Sequence, residues 1–122
     1  MMEGVRNYKD LIVWQRSIEL VKLVYQLVHR FPKHETYALS DQLRRSAVSI
    51  PSNIAEGQAR QHPGEFRQFL HIALGSAAEV DTQMIIAHEL GYVSTTELHN
   101  IETLISEIQK MSHTILKRLS YE

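Results

Sequence analysis

Residues 44–57 read RRSAVSIPSNIAEG, a stretch that combines a helical pattern of apolar residues with a proline and several short polar side chains. One apolar stripe of the predicted helix repeats at spacings of four, three and four residues: Leu43, Ala47, Ile50 and Ile54. A polar stripe repeats beside it at similar spacings: Gln42, Ser46, Ser49, Asn53, Glu56 and Arg60. The stretch therefore predicts a helix with an apolar face and an adjoining polar face.

The proline lies well inside this predicted helix. Pro51 has no backbone N–H, and its ring crowds the carbonyl of Ala47, one turn earlier. We expect the helix to bend near residues 47–51 as a result. The alternative is a break at Ile50 and a restart at Pro51, because proline is favoured as the first residue of a helix. A bend would let the polar stripe meet the third helix or a neighbouring subunit.

Three further stretches show helical periodicity, and no β-branched run of alternating polarity indicates a strand. The first of them carries two apolar stripes side by side, which is typical of a helix packed on two neighbours. Gly91 is expected to end the third helix in a left-handed conformation, and Ser94 or Thr95 to cap the fourth. The four predicted helices span residues 10–31, 37–60, 63–91 and 95–120.

Only a few residues connect these helices, which favours antiparallel neighbours. The sequence therefore predicts an all-α fold: a single up-down-up-down four-helix bundle over residues 1–122, with the second helix bent near Pro51. The first helix has more apolar surface than one antiparallel partner can cover, which indicates self-association. The apolar residues expected outside the core are Tyr8, Ile12, Leu23 and Phe31.

The polar stripe of the second helix has a partial counterpart in the third. If the turn between them centres on residues 61–62, facing residues have numbers that add to about 123. This register puts Glu79 level with Arg44 or Arg45, which predicts an ion pair, and Glu56 level with Arg67. The predicted polar seam consists of Ser46, Ser49, Asn53, Glu56, Ser76 and Glu79. The alternative is that these small polar residues simply face water.

Composition excludes several classes of function. The 122 residues include no cysteine, so disulfide and thiol chemistry are excluded and a reducing cytoplasm is the expected compartment. The first ten residues do not resemble a signal peptide. No apolar run approaches the roughly 20 residues that cross a bilayer, so no membrane association is expected.

Catalytic and metal-binding motifs are incomplete in this sequence. His88 and Glu89 begin a zinc-protease HExxH motif, but position 92 is tyrosine, and the copy that begins at His34 ends in Ala38. No nucleophile elbow or phosphate-binding glycine loop is present. We therefore expect no catalytic residue, no metal site and no cofactor.

Basic side chains are the remaining candidates for function. Arginine and lysine can bind phosphates without reading base sequence. The candidate nucleic-acid contacts are Arg44, Arg45, Arg60 and Lys22. A pI of about 6.7 and the absence of an aromatic RNA-recognition motif argue against a dedicated RNA- or DNA-binding domain. A scaffold for protein interaction is the alternative.

Three blocks carry a resemblance to a known family: LIVWQRSIELVKLVYQL, FPKHETYALSDQLRRSAVSIPSNIAEG and EFRQFLHIALGSAAEV. They resemble the bacterial four-helix-bundle proteins encoded in intervening sequences of large-subunit ribosomal RNA genes, often labelled S23 ribosomal proteins. The resemblance runs from about Tyr8 to Leu119. It implies a homopentameric ring and a relation to the accessory protein of diversity-generating retroelements, which is thought to bind nucleic acid. It implies no established biochemical activity.

Overall fold

A computed structural model describes residues 7–120 of the chain, and that range contains helices and no strand. The all-α, four-helix class is therefore confirmed. The last three helices begin and end within two residues of their predicted bounds. The long helices are α1 (Ile12–Val28), α2 (Leu39–Ala59), α3 (Pro63–Glu89) and α4 (Thr95–Leu119); short 3-10 helices cover Tyr8–Asp10 and Lys33–Glu35.

One core lies between the four helices. Helix α1 packs on α2 and α4, and α3 also packs on α2 and α4, so each helix has two neighbours. The predicted apolar stripe of α2 is completely buried. A large aliphatic or aromatic side chain contributes about 1.5–3 kcal/mol when it is fully buried. The largest side chains in the core include Phe66, Leu20, Leu43, Ile50, Ile54, Leu70, Met84, Ile101 and Leu119.

The first helix is shorter than the predicted span of residues 10–31. Tyr8–Asp10 forms a separate 3-10 turn, and Leu11 has an extended backbone with ψ of 125° before α1 begins. The side chain of Asn7 caps this turn by accepting a hydrogen bond from the Lys9 N–H at 2.9 Å. A capping hydrogen bond and the burial of Leu11 therefore replace the first turn of the predicted helix.

The apolar residues expected outside the core divide into two groups. Ile12 is 59% exposed and Tyr8 is half-buried. Phe31 is buried, contrary to the prediction, because its ring packs on that of Tyr92 at a centroid distance of 5.2 Å. Leu23 is half-buried against the core. The contact between Phe31 and Tyr92 therefore joins the connection after α1 to the connection between α3 and α4.

Helix α2 is continuous from Leu39 to Ala59 across Pro51, which is buried. The alternative in which the helix breaks at Ile50 is therefore not the arrangement that the chain adopts. The bend near Pro51 and the up-down order of the whole bundle stay predictions.

The junction between α3 and α4 follows the sequence signals closely. Gly91 has a φ of 81°, and the N–H groups of Gly91 and Tyr92 donate to the carbonyls of His88 and Ala87. This pair of bonds is the Schellman motif, which satisfies the last carbonyls of α3. Ser94, not Thr95, then caps α4 in a reciprocal capping box with Glu97.

Candidate interaction surface

The polar seam forms a hydrogen-bonded layer between α2 and α3. The hydroxyls of Ser49 and Ser76 lie 2.8 Å apart, and the Ser46 hydroxyl donates to Glu79 Oε2 at 3.3 Å. Asn53 Nδ2 donates to the carbonyl of Ser49 at 2.8 Å and to its hydroxyl at 2.9 Å. Five of the six predicted seam residues are therefore brought together. We expect such a layer to specify how α2 and α3 align.

The register of this layer differs from the predicted one. The Ser46–Glu79 and Ser49–Ser76 pairs both have residue numbers that add to 125, whereas the sequence argument used about 123. Side chains on a helix lean toward its N-terminus by about one residue. The residue that reaches a given point of contact is therefore about one position later in the chain than the residue whose Cα lies level with that point. This applies to both helices, so the sum of the two residue numbers increases by about two, which accounts for the difference.

Glu56 and Arg67 do not form the facing pair that the sequence argument predicted. Glu56 is exposed and bonds to Arg60 on its own helix at 2.8 Å. The Arg67 guanidinium donates to the carbonyl of Leu119 at 3.1 Å, near the end of α4. A partner four residues away on the same helix is nearer than one on another helix, which explains the choice of Glu56. This residue lies outside the hydrogen-bonded seam.

The predicted ion pair of Arg44 or Arg45 with Glu79 is wrong. Arg45 instead bonds to Asp41, four residues earlier, at 3.1 Å, and Arg44 donates to the carbonyl of Thr36 at 3.2 Å. Within residues 7–120 no lysine or arginine pairs with Glu79, which is exposed. The corrected register moves Glu79 opposite Ser46, so the carboxylate accepts from a hydroxyl, and no cation among residues 7–120 neutralises it.

The four candidate phosphate-binding residues lie on two helices, and Arg60 lies far from Arg44 and Arg45. Lys22 is exposed on α1, whereas Arg44 and Arg45 lie near the start of α2. Arg60 is the cap at the other end of α2, about 22 Å from Arg45 at 1.5 Å per residue. Arg60 pairs with Glu56 and Glu65, and the hydrogen bonds to these two carboxylates raise the pKa of its guanidinium. Arg60 is therefore already neutralised.

A groove runs between α1 and α2 on the outside of the bundle. Its first cleft has a volume of about 400 Å³ and is lined by Tyr25, Asp41, Arg44, Arg45, Val48 and Ser49. Its second cleft, of about 280 Å³, is lined by Tyr8, Trp14, Ile18, Val21, Val48, Pro51, Ser52 and Ala55. Val48 lies in both clefts, so we treat them as one α1–α2 groove. One wall of the groove is an apolar stripe of α1, which the sequence argument assigned to helix packing alone: Trp14, Ile18, Val21 and Tyr25.

The exposed surface of α3 forms a second feature, the α3 outer face. Its residues are all exposed and recur at the spacing of one helical stripe: Ile72, Gly75, Glu79, Thr82, Ile86 and Leu90. A Cβ atom added to Gly75 would have no atom of the described residues within 4 Å. The spacing of residues 72, 79 and 86 was the available signal, but the sequence argument assigned Ile72, Glu79, Ile86 and Leu90, together with Ser76 and Gln83, to a stripe that contacts α2.

Three polar groups meet where the connections at one end of the bundle touch. The Tyr92 hydroxyl donates to Glu35 at 2.8 Å and lies 3.3 Å from His34 Nε2. The hydrogen bond to Glu35 raises the pKa of Tyr92. In the part of the chain that the structure describes, no group of three or more His, Cys, Asp or Glu side chains is placed to hold a metal ion. This cluster fastens two connections together.

The family model of the 23S rRNA-intervening sequence protein matches residues 9–114. The chain belongs to that family. A solved structure from the S23 ribosomal protein family of Bacteroides thetaiotaomicron, described as a protein with unknown function, is similar to it with a TM-score of 0.80. The two share 26% sequence identity over 87% of this chain and 96% of the other. No curated protein matches the chain.

The region matched to the 23S rRNA-intervening sequence family includes the polar seam, the α1–α2 groove and the α3 outer face. The structural relative supports the fold of this chain, but it gives no information on activity because its function is described as unknown. These matches do not show the relation to retroelement accessory proteins, which stays an expectation from the resemblance. Within residues 7–120, no helix is long and apolar enough to cross a membrane.

Proposed function

We propose that this protein is a non-enzymatic scaffold that assembles with copies of itself. The observation that carries the proposal is the α3 outer face, where Ile72 and Ile86 are 44% exposed and Leu90 is 54% exposed along one stripe. Single exposed apolar residues are ordinary on a protein surface, but an aligned set is typical of an interaction site. The number of copies that we propose, five, follows from the family resemblance.

The α3 outer face needs a large complementary surface to support stable association. Full burial of an isoleucine or leucine contributes about 1.5–3 kcal/mol, and these three side chains are already about half-buried. Association itself costs at least about 4 kcal/mol in lost motion, with further costs for ordering side chains. A stable assembly therefore also buries the α1–α2 groove or another apolar surface.

Nucleic-acid binding is the second candidate function, and the α1–α2 groove is the observation that favours it. Arg44, Arg45 and Tyr25 line one cleft, and Lys22 lies one turn before Tyr25 on α1. Guanidinium groups bind phosphate, and an exposed tyrosine ring can stack on an unpaired base. Asp41 lowers the net charge of this cleft, however, and Arg60 is paired elsewhere. These pairs favour the scaffold over the nucleic-acid candidate.

Two measurements on the purified full chain separate these candidates. Sedimentation velocity from about 1 to 100 μM should return a mass several times the 14.1 kDa of one chain. A single 14.1 kDa species over the whole range would refute the scaffold proposal. Fluorescence anisotropy with labelled single-stranded RNA and DNA at two salt concentrations tests the second candidate. Absence of salt-sensitive binding to either polymer by the assembled protein would eliminate it.

A further inference from the structure

We infer that the α3 outer face of one copy docks into the α1–α2 groove of the next copy, with Glu79 facing Arg45. This inference rests on the proposed self-assembly and specifies which two surfaces meet. The two surfaces lie on different parts of the bundle, so the contact is heterologous. Repetition of such a contact builds a closed ring if the rotation closes, or an open filament if it does not.

The charges on the two surfaces are complementary. Glu79 is exposed, accepts only from the Ser46 hydroxyl, and has no cationic partner among the described residues. The side chain of Arg45 is 80% exposed, and its cleft contains two arginines against the single carboxylate of Asp41. A carboxylate that enters this cleft would balance the remaining positive charge, and like charges at such a position would oppose docking.

The spacing of apolar and charged groups also matches. On α3, Ile72 lies seven residues before Glu79, which is about 10.5 Å along the helix. On α2, Ser52 in the apolar cleft lies seven residues after Arg45, the same distance in the opposite direction. When Glu79 meets Arg45 and the helices run in opposite directions, Ile72 therefore enters the apolar cleft beside Trp14 and Pro51.

Gly75 supports this arrangement because nothing in the described part of its own copy requires a glycine there. Glycine destabilises the interior of a helix relative to alanine, yet a Cβ at Gly75 would meet no atom of residues 7–120 within 4 Å. In the proposed contact, Gly75 lies between Ile72 and Glu79 and passes over Val48, the 40% exposed residue shared by both clefts. The missing side chain lets the docked helix approach Val48 closely.

Pairing of two α3 outer faces with each other is the main competing arrangement. Ile72 and Ile86 lie at equal distances on either side of Glu79. An antiparallel self-pairing that is centred on this stripe would therefore place two Glu79 carboxylates together. Two uncompensated carboxylates lose solvation and repel each other in such an interface. The α1–α2 groove offers a cation at that position, so docking into the groove is the favoured arrangement.

Cysteine cross-linking tests the contact directly because the chain has no cysteine of its own. Glu79→Cys and Arg45→Cys variants are mixed at equal concentration under mild oxidation, and each is also oxidised alone. We expect a disulfide-linked dimer mainly in the mixture. Strong cross-linking of Glu79→Cys with itself would overturn the inference in favour of face-to-face pairing. Absence of cross-linking in the mixture, while the wild type sediments as an oligomer, would overturn it while self-assembly itself stands.

Charge reversal provides an independent test by sedimentation. Glu79→Arg and Arg45→Glu should each weaken association by about tenfold or more, and the double variant should recover most of the loss. Glu102→Arg is the matched control, since Glu102 is an exposed carboxylate on α4, a helix that contributes no residue to either surface. Unchanged melting temperatures at concentrations below assembly establish that each variant folds. The inference fails if the single variants assemble as tightly as Glu102→Arg, or if the double variant recovers nothing. A monomeric wild type would refute the self-assembly proposal itself.

Discussion

Helix α3 packs tightly against Gly57 of α2, which makes Gly57→Ala a sharp test of the packing. A Cβ at this position would lie 2.7 Å from Phe69 Cβ and 3.0 Å from Phe66 Cδ1. The contact with Phe69 is below van der Waals distance and involves an atom fixed to the α3 backbone. Phe66 is completely buried, so its ring has little room to rotate away. The two helices must therefore separate slightly.

Two opposing effects set the size of the change. Overpacking a filled core costs about 1–3 kcal/mol. Replacing glycine with alanine inside a helix recovers about 0.5–1 kcal/mol of that cost. We expect Gly57→Ala to lower the free energy of unfolding by about 1–2 kcal/mol. For a chain of this length, that change corresponds to a decrease of roughly 4–8 °C in melting temperature.

Gly75→Ala is the matched control, because it makes the same substitution in the interior of a helix where the added Cβ meets nothing within 4 Å. We expect it to raise the free energy of unfolding of the separate bundle by about 0.5–1 kcal/mol. Urea titration followed by circular dichroism, at concentrations below assembly, measures both variants. If Gly57→Ala is as stable as Gly75→Ala, the argument that α2 and α3 are packed to their limit at Gly57 is wrong.

Three further predictions concern the seam, the proline and the acid limb of stability. Ser76→Ala removes the partner of Ser49 and should cost about 1–2 kcal/mol by urea titration, and an unchanged free energy of unfolding would show that this hydrogen bond does not stabilise the bundle. Pro51→Ala should raise helicity and disturb assembly. If this variant sediments like the wild type, Pro51 is not required for assembly. The N–H of Ser94 donates to the Glu97 carboxylate and lowers its pKa below the ordinary value of 4.5. The ionised Glu97 side chain therefore stabilises the fold above pH 4.5, and this stabilisation is lost as the pH falls through the lower pKa of Glu97 in the folded protein. Glu97→Gln should therefore flatten the decline in melting temperature on acidification, and an equally steep decline would contradict that assignment.

The local pattern of the sequence is sufficient to predict which residues fill the core of α2. Leu43, Ala47, Ile50 and Ile54 are all completely buried because one helical period places them on the same side. The end of α3 and the start of α4 are equally local, since Gly91 and Ser94 act on backbone groups within a few residues. Features of this kind depend on neighbours in the chain, which a single sequence contains.

Features that depend on contacts between helices were predicted less well. The composition of the polar seam was foreseen, but its register was wrong by two residues because side-chain lean was left out of the argument. The predicted pair of Arg44 or Arg45 with Glu79 failed because each arginine has a nearer partner: Asp41, one turn away on the same helix, for Arg45, and the carbonyl of Thr36 for Arg44. The α1–α2 groove was missed for a related reason. Periodicity assigns Trp14 and Tyr25 to an apolar stripe, but it does not show how far α2 covers them.

The scaffold and nucleic-acid proposals compete for one side chain, and this competition allows salt dependence to separate them. If Glu79 of a neighbouring copy occupies the cleft at Arg45, that arginine is unavailable to phosphate in the assembled protein. Such an interface contains one proposed ion pair beside a larger apolar contact, so added salt should weaken assembly only modestly. Phosphate binding releases counterions at each contact and weakens steeply with salt. If the cleft is an interface, Arg45→Ala should therefore weaken assembly and leave the salt dependence of assembly nearly unchanged. If the cleft binds phosphate, the same variant should flatten the salt dependence of RNA affinity.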